Sequence, residues 1–286
     1  MDSSKRYAIV FIVLVMGITW AFNLYIFKHQ THLSMYTLSM VIPGIVALFL
    51  NAFRYRSIKG ITAPFSRRLS IKILGFSVGY PVIFITLLAA LDVVCFIGTI
   101  DHHRLETMQW LPPLSVAVTG FLVVCAEEYG WRGFLLPNIA SGFGELFATV
   151  AVGIVWAIWH IPAVLFLAKL TQVGNVNTLV GVQVVAMFVF SLPFAYCYFK
   201  SGSIIPPILF HFVWNYYNRW FLAVFTITVT VSLMVRSCIS MGKGLQAYCL
   251  ARYSYCGLFA GCRIIISSQS IPYKTRAGLL QPSHII

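Results

Sequence analysis

Glu127-Glu128-Tyr129-Gly130-Trp131-Arg132 follows the apolar run 116–126. An ionised side chain at the centre of a membrane helix costs about 2.5–3.5 kcal/mol, so three unpaired ones would cost on the order of 8–10 kcal/mol. Glu128 and Arg132 are four apart, which puts them on one helix face as an ion pair. Glu127 then lies about 100° around the helix, unaccounted for by the arginine. A carboxylate held in such a place without a fixed partner is suited to general-base work. The plain alternative is an interfacial loop with all three groups in water.

Two further motifs put polar groups among apolar residues. Trp156-Ala157-Ile158-Trp159-His160 places His160 in an otherwise uncharged run, with Trp156 on its face. His211-Phe212-Val213-Trp214-Asn215 places His211 and Asn215 one turn apart. Either, taken singly, reads as a hydrogen-bonded core residue or as interhelical glue. Together they offer one carboxylate, two imidazoles and an amide on three helices, a set able to activate water.

The elements that must position these groups are membrane helices. Of 286 residues, 59% are hydrophobic and 9% charged. A soluble domain carries roughly 25% charged residues, so lipid is the solvent this composition fits. The expected fold is all-α, a polytopic transmembrane bundle of about seven to eight spans. Spans are expected at about 7–27, 34–53, 73–100, 112–137, 146–168 and 178–199, with a seventh from about Ser203. Pro206 and Pro207 fall in its first turn, where a missing amide hydrogen costs little. The first span has no AxA-like cleavage site and reads as a retained helix, not a signal peptide.

The net charge of +13 sits in short loops. Arg54, Arg56, Lys59, Arg67, Arg68 and Lys72 form a loop without an acid, which the positive-inside rule assigns to the cytoplasm. Counting crossings, Lys5, the 138–145 loop and Lys200 share that side, and the 101–110 loop lies opposite. Lys28 and Lys169 run against the pattern. No basic face interleaved with aromatics lies outside the spans, so nucleic acid is not an expected partner. The seven cysteines match no zinc spacing and no disulfide framework.

Residues 1–235 read as one helical domain, with the motifs confined to 111–220. The tail 236–286 differs: four cysteines, many serines and no acid. Its helical periodicity is poor. It reads as foreign to the core fold, in the manner of a frameshift product, with a further membrane segment around 245–266 as the other reading.

The order EExxxR, aromatic-xxxH, HxxxN on separate apolar spans resembles the CAAX prenyl endopeptidase family, also called CPBP, for CAAX proteases and bacteriocin-processing enzymes. The resemblance covers roughly 111–220. It implies that Glu127 activates water, that His160 orients it, and that His211 and Asn215 stabilise an oxyanion. Glu128 and Arg132 would be the supporting ion pair. Trp156 departs from the family, which usually has phenylalanine there; an aromatic is retained. The family is commonly called metalloprotease, which would make Glu127, His160 and His211 the candidate ligands of a divalent metal such as zinc. A glutamate–histidine mechanism needs no metal, and both accounts stay open. The expected partners are membrane lipid and a peptide or protein substrate, lipidated or bacteriocin-like. The expected place is a bacterial cell membrane, with the site reached from the cytoplasm. Two other classes compete: a non-catalytic immunity protein or peptide-binding scaffold, and a small transporter. The absence of an internal repeat weighs against the transporter.

Overall fold

The computed structural model describes residues 3–29, 33–65, 69–95, 98–100, 102, 106, 114–171, 175–221 and 225–227. Helix α1 is Ser3–His29, and its buried positions Ala8, Phe11, Val15, Thr19, Asn23 and Ile26 follow the 3–4 spacing of a single face. A 3₁₀ segment, Leu33–Met40, leads into α2, Val41–Tyr55. A short α3, Ile58–Thr62, is capped by the Ser57 hydroxyl and followed by a 3₁₀ turn at Ala63–Phe65. Then come α4, Ile71–Val94, and α5, Leu114–Gly130. A π-helical turn, Trp131–Leu135, joins α5 to α6, Leu136–Phe143. Helices α7, Glu145–Thr171, α8, Val176–Ser201, and α9, Ile205–Phe221, complete the bundle. Strands β1, Gly98–Ile100, and β2, Phe225–Ile227, pair antiparallel.

The fold is the expected all-α membrane bundle. Among the described residues, six helical segments are long and apolar enough to cross a bilayer, against the seven to eight expected. The expected seventh span is α9, whose described length is 17 residues and whose inner face carries His211, Asn215 and Asn218. At 1.5 Å per residue it rises about 26 Å, short of the roughly 30 Å hydrocarbon core. The tail 236–286 lies outside the described residues.

Two expected boundaries move. The third span was expected to run to residue 100; α4 stops at Val94, and Gly98-Thr99-Ile100 enters the ribbon. Glycine weakens a helix, and β-branched residues suit a strand. The expected loop 138–145 is instead helix through Phe143. Pro137 does not break it, because it sits in the first turn after the π segment. The reversal into α7 is made at Gly144, whose φ of 85° would strain any residue with a Cβ.

Helix α2 approaches α5 closely through small residues. A Cβ on Gly130 would lie 2.6 Å from Pro43, and one on Gly44 would strike the backbone of Ala126. This contact braces the two glutamates from behind. Outward residues such as Val13, Phe49, Leu87, Leu122 and Val185 are exposed, as helices facing lipid require.

One end of the bundle gathers the segments that the charge count assigned to one side. Arg54 donates to Asn138 Oδ1 at 2.7 Å and to Ser4 Oγ at 3.2 Å. Lys5 lies over the Phe143 ring at 4.4 Å. The Ile204 amide donates to the Pro64 carbonyl at 2.9 Å.

Candidate active site

Glu127 and Glu128 occupy the last turn of α5, and Arg132 lies in the π turn that follows. A π turn inserted in a helix is frequent at functional sites. All three side chains are inside the protein, at 1%, 0% and 0% exposure, which rules out the interfacial-loop reading. The Glu128–Arg132 pair forms as expected, with Nη1 to Oε1 at 3.0 Å. Arg132 Nη2 donates to Ser191 Oγ on α8 at 3.1 Å. Its guanidinium lies between the rings of Trp156, at 4.8 Å, and Phe194, at 4.6 Å. The arginine is therefore paired on its edge and stacked on its faces, as a buried cation must be.

His211, on α9, belongs to the same group. Its Nδ1 lies 2.7 Å from Glu128 Oε1, and its ring stacks on Phe194 at 5.2 Å. A carboxylate oxygen only accepts, so Nδ1 carries the hydrogen when Glu128 is ionised. Spacing alone had separated a structural pair, Glu128 and Arg132, from a reactive set. In the structure Glu128 Oε1 serves both, holding Arg132 with one lone pair and His211 with the other.

Trp156 is the hub of the site. Its indole Nε1–H donates to Glu127 Oε1 at 2.8 Å. Its ring lies 4.9 Å from that of His160 and 6.1 Å from that of His211. Its carbonyl accepts from His160 Nδ1 at 2.8 Å, so the neutral imidazole places its lone pair on Nε2. Exchange of phenylalanine for tryptophan here is not chemically neutral, since phenylalanine has no N–H to give Glu127. Glu127 Oε2 is buried and has no hydrogen-bond partner among the described residues.

The fold thus brings Glu127, Glu128, Arg132, His160 and His211 around one indole. Asn215 is half-buried, one turn along α9 from His211, and no described contact joins it to the others. Ser191 and Phe194 were missed by sequence reasoning. They sit on α8, which has no charged residue before Lys200, so no spacing pattern marked them.

Among the described residues, no three His, Cys, Asp or Glu side chains are placed to hold a metal ion together. Glu127, His160 and His211 therefore do not fit as a three-ligand set, and the chemistry below is drawn from the side chains alone.

Residues 109–217 match the family model described as type II CAAX prenyl endopeptidase, Rce1-like. That segment holds all three motifs. The chain is also 28% identical over 229 residues to CAAX prenyl protease 2 of Methanococcus maripaludis, a match covering 74% of this chain and 82% of the relative. The matched segment carries the motif groups that the helical membrane core buries, and over that segment the chain is similar to the Rce1-like CAAX prenyl endopeptidases.

Proposed function

We propose that this chain hydrolyses a peptide bond of a membrane-associated substrate with water activated by Glu127 and His160. The observation that carries the reading is the state of Glu127: buried, fixed at Oε1 by Trp156, and unpartnered at Oε2. Oε2 takes a proton from water as the water oxygen attacks the scissile carbonyl. His160, its Nδ1 held by the Trp156 carbonyl, orients that water through Nε2. The tetrahedral oxyanion faces α9, where His211 and Asn215 donate to it. His211 can donate through Nε2 only as an imidazolium, a charge that the Glu128 carboxylate balances. The proton taken by Glu127 passes to the leaving amide nitrogen as the C–N bond breaks.

Both likenesses carry the words CAAX prenyl in their descriptions. A prenylated C-terminal peptide is accordingly the substrate class we favour over a bacteriocin precursor. The basic end of the bundle would face the cytoplasm, and such a peptide would enter from that side. The test is cleavage of an S-farnesylated reporter peptide by purified protein. Glu127→Gln keeps an acceptor for Trp156 but cannot take the proton. Cleavage should fall to background while the melting temperature holds. Full cleavage by this variant would overturn the catalytic role of Glu127 and return the chain to the scaffold reading.

A further inference from the structure

Beyond the motif residues, a second set of buried polar groups lies where α1 meets the π turn and α7. The buried stripe of α1 touches Trp131 through Phe11, with rings 5.6 Å apart. Fifteen residues on, Ile26 belongs to a small apolar cluster with Tyr36 and Ala163 of α7. Between these contacts the stripe carries Thr19 and Asn23, at 0% and 1% exposure. They are one turn apart, about 6 Å along the axis. On α7, Trp159 lies one turn before Ala163 and beside Trp131, with rings 5.6 Å apart. Its ring is 4.7 Å from that of His160. Trp159 therefore links Trp131 to the histidine of the reactive centre.

The polar atoms of this strip share a chemistry. Trp131 Nε1, Trp159 Nε1, Asn23 Nδ2 and Thr19 Oγ1 are all buried and lack a hydrogen-bond partner among the described residues. Three of the four are N–H donors, and the fourth can donate. Asn23 is oriented as a donor, because its Oδ1 already accepts from Ser39 at 2.7 Å. Most buried polar groups in folded proteins have a partner, and exceptions call for a ligand or a function. Four groups able to donate, from three elements, with no cation among them and Thr19 Oγ1 as their one free acceptor, match neutral carbonyl oxygens. An extended peptide presents such oxygens at regular intervals.

We infer that Thr19, Asn23, Trp131 and Trp159 form a binding strip for the backbone carbonyls of the substrate peptide, which they hold in register beside His160. The inference rests on the proposed peptidase reading. The strip would recognise backbone and not side chains, so specificity would have to come from elsewhere in the site.

The test is binding of a farnesylated nonapeptide to the Glu127→Gln protein in detergent micelles, read separately from turnover. Trp159→Phe and Trp131→Phe delete an N–H and keep an aromatic ring; Asn23→Leu deletes the amide. Each should weaken peptide binding roughly tenfold, the effect of one hydrogen bond worth keeping. In protein that retains Glu127, each of these variants should raise KM with kcat little changed. If the two phenylalanine variants raise the melting temperature and leave Kd unchanged, the donors are merely unsatisfied core groups and the inference is wrong. A fall in kcat alone would assign the strip to water, again overturning it. Active Glu127→Gln protein would instead overturn the catalytic reading and leave the peptide-binding result to be judged on Kd.

Discussion

Trp156→Phe tests the site at its hub. The substitution removes one hydrogen bond, from Nε1 to Glu127 Oε1 at 2.8 Å, and keeps a ring against Arg132, His160 and His211. A hydrogen bond to a charged group is worth about 1.5–3 kcal/mol. If that energy fixes the carboxylate for reaction, kcat should fall by about 10- to 100-fold, at 1.36 kcal/mol per decade. Phenylalanine is also smaller, and the void should lower stability by about 1–3 kcal/mol. A double-mutant cycle with Glu127→Leu, which removes the acceptor, separates the two effects, because the void left by the indole is common to both backgrounds. Thermal unfolding in detergent should show a coupling between the positions of at least about 1 kcal/mol. Cleavage by the single variant should drop while KM changes little. Equal kcat in Trp156→Phe and the parent, with zero coupling in the cycle, would refute the claim that the indole positions Glu127.

Arg132→Met should destabilise the protein by about 3–5 kcal/mol, because it strands the Glu128 charge in a fully buried place; chemical or thermal unfolding measures it. Ser191→Ala removes the Nη2 bond on α8 and should cost about 1.5–3 kcal/mol by the same measurement. Gly130→Ala drives a methyl into Pro43 and should cost about 1–3 kcal/mol, with activity falling in parallel because α5 carries both glutamates. Tyr129→Phe removes the hydroxyl that accepts from Asn51 at 2.9 Å and donates to the Ile61 carbonyl at 3.0 Å. It should lower stability by about 1 kcal/mol and speed amide exchange in segment 58–65.

The charged residues were legible in the sequence because membrane burial makes charge expensive. Glu128 and Arg132 announced their pairing by a four-residue spacing, which the structure repeats as a 3.0 Å contact. The helices were legible from their apolar runs. What stayed hidden were contacts between distant elements. The bond from His211 to Glu128 spans 83 residues, and nothing local encodes it. Trp156 was noticed as an aromatic, yet its N–H mattered more, because the partner of an indole donor is fixed by helix packing. The 138–145 segment was misjudged because proline and glycine read as loop residues. Pro137 instead occupies a first turn, and the whole reversal falls on Gly144.

The shared oxygen of Glu128 has a consequence for the charge count of the site. Two carboxylates and one guanidinium sum to −1 when both histidines are neutral. An environment this poor in water favours a sum of zero. If Glu127 is the base proposed above, neutrality is reached by one additional proton within the cluster. Hydrolysis needs a place to set down a proton from water and a place to collect it for the departing amine. A cluster that stores one proton and exchanges it among nearby seats meets that need without drawing on bulk solvent. The chain would then carry its own proton inventory, held constant through the cycle by the fixed charge of Arg132.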